Sequence, residues 1–212
     1  MKRIILAVAA LVFAAGCTQE NGISLGNARK LNDSCTPGTE TELRGSGQFD
    51  TAVTNSYIAS FEVVSSLEAR TIQVGSDVLL KGNQNDAILN QLVLNYATTP
   101  ATSLKQEILP LLFRVSAGST TNFLTTDVIG PQAKEAIRAR VAANGDQMQI
   151  LVRVQLKGNL ASGSPISSNE VLFPVRAYFY DPGCGGTLTG SPTGACGNNG
   201  QDESIASCGT TP

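Results

Sequence analysis

Five cysteines, at positions 17, 35, 184, 196 and 208, are the residues with the widest chemical reach in this 212-residue chain. A thiol can form a disulfide, hold a metal, accept an acyl group or attack as a nucleophile. The last use normally needs a histidine, and the chain has none. That absence removes Ser-His-Asp and Cys-His catalysis, HExxH zinc chemistry, haem ligation by His and a His-based pH switch. An enzyme built from this chain would need paired carboxylates, a Ser-Lys pair or a metal site without histidine. Five is an odd number, and setting Cys17 aside leaves an even set of Cys35, Cys184, Cys196 and Cys208, which has three connectivities. In each of them Cys35 joins a tail cysteine and the other two tail cysteines join each other. Cys184 directly follows the last predicted strand, so the expected pairs are Cys35–Cys184 and Cys196–Cys208. The long bridge is worth on the order of 5 kcal/mol in the chain-entropy model, and the tail bridge about 3 kcal/mol. A four-cysteine zinc site is disfavoured, because no CxxC pair exists and the expected compartment is oxidising.

Other candidates are weaker. Asn198-Asn199-Gly200-Gln201-Asp202-Glu203 places oxygen ligands near a glycine but lacks the alternating order of a calcium loop, so it reads as a solvated loop. Asp146 and Asp181 sit in turns where Asp is commonplace, with nothing to pair them for acid–base work. Arg138, Arg140, Arg153 and Arg176 would form a basic stripe only if their strands were neighbours; ordinary outward-facing strand charges are the simpler reading. Gly190-Ser191-Pro192 lacks the strand–elbow–helix context of a nucleophilic serine. No catalytic residue, metal site or cofactor is expected.

The elements that would position these residues are mostly strands. Tyr57, Ala59, Phe61 and Val63 share one parity. Met148, Ile150, Val152, Val154 and Leu156 do the same, as do Val171, Phe173, Val175, Ala177 and Phe179. On the last of these, Leu172, Pro174, Arg176, Tyr178 and Tyr180 form the other face. Thr71 to Leu80 predicts a short strand broken near Gly75-Ser76, with a turn over Lys81 to Asn85. Ile88 to Tyr96 and Ile108 to Ser116 also alternate. Pro110 and Pro174 lack a donor N–H, so each is expected at an edge or bulge. Over Pro131 to Ala143 a helix and a strand compete; a strand from about Ala136, turning at Asn144-Gly145, is favoured. The mature chain is expected to be an antiparallel β-sandwich, for which an immunoglobulin-like topology fits without the Cys…Trp…Cys signature. A transmembrane barrel would need more even strands and aromatic girdles, and only 5% of the residues are aromatic.

Lys2 and Arg3 precede an uncharged apolar run, Ile4 to Ala15. Twelve helical residues span about 18 Å, short of a roughly 30 Å hydrocarbon core. The run has the length of a secretory h-region and ends Ala14-Ala15-Gly16-Cys17. These four residues resemble the lipobox of bacterial lipoproteins, with Ala14 where Leu is commonest. The resemblance covers the leader alone. It implies cleavage before Cys17, a diacylglycerol on its thiol and an acylated amino terminus. More than one acyl chain is what stable anchoring requires. Thr18, where enterobacterial members retained at the inner membrane carry Asp, implies the outer membrane. The alternative is an ordinary leader cleaved after Ala-x-Ala or Ala-x-Gly, with Cys17 left to a disulfide.

The expected organisation is therefore a signal peptide over 1–16, a lipidated N-terminus, tether and loop over 17–47, a β domain over 48–183, and a Cys/Gly-rich tail packed on it over 184–212. Thr18 to about Asp33 reads as tether, with a fully extended reach of roughly 50 Å. Without Lys2 and Arg3 the chain has 13 basic and 17 acidic residues, net −4, which argues against nucleic acid as a partner. The expected function is a lipid-anchored, non-catalytic binding or adhesion module of the cell envelope. Its partners are the membrane, through the lipid, and an envelope protein. An accessory subunit of an envelope complex and a histidine-independent hydrolase are the alternatives. Cys17→Ser is expected to release a folded, disulfide-intact protein from the membrane fraction; a variant that stays bound would overturn the acylation reading.

Overall fold

Met148, Ile150, Val152, Val154 and Leu156 are all buried, and the strand that carries them, β9 (Gln147–Leu160), lies at the middle of the larger sheet. The computed structural model describes residues 22–32, 34–37, 42–183, 188–190, 196, 198, 200–202 and 206–208. The chain is mainly β, with several sheets and one short helix among the described residues. The larger sheet runs β2 (Gly47–Asp50), β11 (Val171–Tyr178), β9, β6 (Ala87–Thr99), β7 (Glu107–Val115), with β10 (Pro165–Ser167) also on β9. A three-stranded sheet runs β1 (Ile23–Arg29), β3 (Ile58–Ser65), β8 (Asn122–Asp127). Two two-stranded sheets pair β4 (Thr71–Val74) with β5 (Asp77–Asn83) and β12 (Leu188–Gly190) with β13 (Ala206–Cys208).

Alternation explains which faces are buried. Tyr57, Ala59, Phe61 and Val63 from β3 and its approach share one core with Phe173, Val175 and Ala177 of β11. The Phe173 ring meets Phe61 edge-on at 5.8 Å and Tyr57 at 5.6 Å, an arrangement aromatic pairs favour. The prolines fall where a missing donor costs least. Pro110 lies on edge strand β7, opposite the register shift between Leu89 and Gln91. Pro174 precedes by one residue the start of the β2 pairing at Val175. Gly158 of β9 sits against the Ile88 carbonyl, where an added Cβ would collide with backbone.

Five sequence expectations are corrected. The stretch read as tether contains β1, with Ile23, Leu25, Ala28 and Leu31 buried. A bulge between Leu25 and Ala28 breaks its alternation, which is why no sustained periodicity shows in the sequence. The arrangement is not wholly antiparallel, because β2 pairs with β11 in parallel. No tight turn joins these two strands, so nothing forces the antiparallel sense. Lys81 to Asn83, expected in a turn, extend β5.

The fourth correction is helix α1 (Pro131–Arg140), which replaces the strand expected from Ala136. Its N-cap is Gly130, with no side-chain cap of its own. The cap comes from elsewhere: the buried Glu107 of β7 accepts from Gln132 N at 3.1 Å and Ala133 N at 3.0 Å. The Tyr96 hydroxyl accepts from Gly130 N at 2.9 Å. Pro131 suits the first turn, Ala133 and Ile137 bury one face, and Arg138 and Arg140 lie in the last turn, where positive charge opposes the helix dipole. The Asn144-Gly145 turn forms, with Gly145 at φ +91°, but it joins a helix to a strand.

The cysteine pairing also differs from expectation. Cys35 is bonded to Cys196, 161 residues away, not to Cys184. Cys196 N donates to the Asn32 carbonyl beside the Cys35 loop, and the docking of Gly200 to Asp202 a few residues later holds the tail there. Proximity along the chain to the last strand therefore does not decide the partner. Cys208 is disulfide-bonded as well; Cys17 and Cys184 lie outside the described residues. Glu107→Ala should lower the urea midpoint by the equivalent of about 1–2 kcal/mol, the usual worth of a helix cap. An unchanged midpoint would show that α1 does not need the remote cap.

Candidate functional site

Among its described residues, the tail bonds to β2, to β3 and to Ser56 just before β3 through Asn198, Gly200, Gln201 and Asp202. Asp202 N donates to the Gln48 carbonyl at 2.7 Å, and Gln48 Nε2 donates to the Asp202 carbonyl at 2.7 Å. The Asp202 carboxylate accepts from Tyr57 OH at 3.1 Å and pairs with Arg44 at 3.0 Å. Gln201 clamps one backbone unit of β3: Ile58 N donates to Gln201 Oε1 and Gln201 Nε2 donates to the Ile58 carbonyl, at 2.9 and 2.8 Å. Asn198 donates to the Ser56 carbonyl and to Gln201 Oε1. The polar side chains of Asn198, Gln201 and Asp202 are thus committed to the fold. Burial pushes the Asp202 carboxyl above the usual range, against the Arg44 charge and the hydrogen bonds it accepts. Burial, then the Asp202 charge, pushes the Tyr57 phenol up.

Beside this anchor lies an open groove of about 570 Å³ lined by Gln48, Gly145, Asp146, Gln147, Arg176 and the run Tyr178-Phe179-Tyr180, within the size range of small-ligand sites, roughly 300–1,000 Å³. Gln48 connects the two. Its amide nitrogen is held by the Asp202 carbonyl, while its Oε1 accepts from Arg176 Nη2 at 2.5 Å. The Arg176 guanidinium in turn stands 5.6 Å over the Tyr178 ring, a favourable cation–π distance. The loops that frame the groove are cross-tied. Asp181 N donates to Asn144 Oδ1 at 2.6 Å, Asn144 Nδ2 donates to the Asp181 carbonyl, and Phe179 N donates to the Asp146 carbonyl. Asp146 Oδ2 accepts from Ala142 N and Ala143 N.

Asp50 fixes the groove from behind. It is fully buried, and its Oδ1 accepts from Tyr180 N and Ala52 N, both at 3.0 Å. Its Oδ2 has no partner among the described residues. Burial, opposed by those two N–H donors, leaves its carboxyl raised. The Tyr178 phenol is raised too, by burial first and by the Asp50 charge second.

The sequence candidates separate here. Asp146 lines the groove and Asp181 follows Tyr180 of its lining, each held in separate structural hydrogen bonds, Asp146 to Ala142, Ala143 and Phe179 and Asp181 to Asn144. The four arginines do not form a stripe. Arg138 and Arg140 are on α1, Arg153 pairs with Glu170 at 3.4 Å, and Arg176 alone enters the groove. Of Gly190-Ser191-Pro192, only Gly190 is described. No group of three or more His, Cys, Asp or Glu that could hold a metal occurs among the described residues. Sequence reading missed the joint role of Gln48, Gln147, Tyr178 and Tyr180. The available signal was Tyr178-Phe179-Tyr180, three adjacent aromatics in a chain with seven Phe and four Tyr. No family model, curated protein or solved structure matches the chain.

A raised Asp50 carboxyl means that the fold favours its neutral form. Its ionisation therefore removes stability as the pH rises from the unfolded value through the folded one. Asp50→Asn lacks that dependence, so as the pH is lowered from 7.5 towards 4 the wild type should gain urea stability relative to the variant. A wild type that loses ground to Asp50→Asn over the same range would contradict the assignment.

Proposed function

We propose that the protein is a lipid-anchored binding module of the bacterial cell envelope, non-catalytic, held by acylated Cys17 in the outer membrane and carrying its ligand in the Tyr178–Tyr180 groove. In architecture it is a β-sandwich with immunoglobulin-like character, modified by the parallel β2–β11 pair. The observation that supports the reading is the separation of Ile23 from the groove. Ile23, six residues after Cys17, bridges to Ser168, three residues before the start of β11. The groove lies at the other end of β11, at Arg176 to Tyr180. The eight residues of β11, Val171 to Tyr178, span about 26 Å. Six residues from Cys17 to Ile23 reach at most about 20 Å, well short of the roughly 50 Å of a tether running to Asp33. Anchoring at Cys17 would then hold the Ile23 end near the bilayer and present the groove away from it.

A second reading, an accessory subunit of an envelope complex, draws on β7. This strand ends the larger sheet and exposes Ile108 and Leu112, the latter 86% accessible. Such an edge suits a protein partner, while Pro110 within it limits strand addition. The hydrolase alternative finds little in the groove, whose single carboxylate, Asp146, already accepts two backbone N–H groups.

The chain has no tryptophan, so one substitution creates a unique fluorescent donor. With the acylated protein in vesicles containing dansyl-headgroup lipid, Ser66→Trp, beside Gly22, should transfer energy efficiently and Tyr180→Trp much less. Equal transfer from the two, or more from Tyr180→Trp, would refute the outward-facing groove. Failure of either variant to associate with vesicles would refute the anchor.

A further inference from the structure

We infer that the groove is a carbohydrate site, taking one or two residues of a neutral oligosaccharide; this rests on reading the groove as the binding site. A sugar ring presents two kinds of surface. Its C–H faces pack on an aromatic ring, and its hydroxyls seek planar groups that donate and accept side by side. The groove supplies both. Tyr178 and Tyr180 are the two tyrosines outside the core, Tyr180 being 45% exposed, whereas Tyr57 is buried and Tyr96 is hydrogen-bonded to the start of α1. Tyrosine offers a rigid ring with a polar tip at low entropic cost. Around these rings stand the Gln147 amide, the Arg176 guanidinium and the Asp146 carboxylate. Gln147 and the hydroxyls of Tyr178 and Tyr180 have no side-chain hydrogen bond among the described residues, so they are available to a ligand.

The arrangement is also rigid before binding. Arg176 is fixed by Gln48 and Tyr178, Gln48 by Asp202, the Tyr180 backbone by Asp50, and the rim by Asn144. Pre-organisation of this kind lowers the entropic cost of holding a weakly binding polar ligand. Charge narrows the class. The lining carries one arginine and one aspartate, a net charge of zero, without the cluster of positive charge that a nucleic acid or a phosphorylated ligand draws on. The groove is also open and lacks the enclosure that a purely apolar ligand needs.

The test uses the full chain, purified in detergent, on an array of immobilised neutral and uronic-acid-containing oligosaccharides. At least one neutral oligosaccharide should be retained. Tyr180→Ala and Gln147→Ala should each weaken retention tenfold or more, while Tyr180→Phe, which keeps the ring, stays within about threefold. The urea midpoint and the Cys35–Cys196 bridge should be unchanged in all three, which separates a lost site from a lost fold. No retention of any oligosaccharide at millimolar concentration overturns the inference, as does retention confined to the uronic-acid set or unaffected by Tyr180→Ala. Because the array needs no bilayer, its failure alongside normal energy transfer in vesicles would sink the carbohydrate assignment and leave the anchored groove standing.

Discussion

The structure depends on one buried polar contact, where Asp202 returns to the start of β2. Its backbone exchanges hydrogen bonds with Gln48, and its carboxylate holds Arg44 and Tyr57 together. Taking a carboxylate out of water is costly, and removing one member of a buried pair typically costs about 3–5 kcal/mol. Here several charge-assisted hydrogen bonds meeting on one group offset part of the cost of burial. Asp202 holds φ at +60°, and both Cys35 and Cys196 sit in the same left-handed region. Such conformations persist where surrounding contacts over-determine them, and the disulfide together with the Gln201 clamp does so here.

From that contact a line of dependence runs outward. Asp202 holds Gln48, Gln48 holds Arg176, and Arg176 lies on Tyr178. On the other side, Asp50 hangs Tyr180 from the core by its backbone N–H. The Asp50 Oδ2, without a partner among the described residues, is a cost the fold bears next to the groove. Strain and unsatisfied groups concentrate near functional surfaces because a site needs groups held where folding alone would not put them. The Cys35–Cys196 bridge thus does more than shorten the unfolded chain. It keeps the segment carrying Asp202 beside the strands that build the groove.

Local chemistry made the strands legible. β3, β9 and β11 each carry an unbroken alternation, and a period of two has no other economical explanation. The prolines at 110 and 174 were also readable, because a missing donor restricts them to edges or to the ends of pairing. Where a bulge interrupted the alternation, as in β1, the same signal vanished and a buried strand passed for tether. Helix α1 was illegible for a different reason. Its cap, Glu107, lies 24 residues before Pro131 in the chain, so no local motif announces it, and Ile137 and Val141 satisfy a strand pattern and a helical one alike.

By itself, then, the sequence determined the β character, the inward faces of the regularly alternating strands, the lack of histidine chemistry and the requirement that Cys35 join the tail. These follow from near-neighbour sterics, hydrophobic periodicity and the arithmetic of four thiols. Only the tertiary structure decided that the partner is Cys196, that β2 runs parallel to β11, that Glu107 caps α1, and that Gln48, Gln147, Arg176 and the Tyr178–Tyr180 run share one groove. Each of these is a meeting of residues separated by tens to more than a hundred positions. Their proximity arises from packing free energy summed over the whole core, a quantity that no single window of sequence contains.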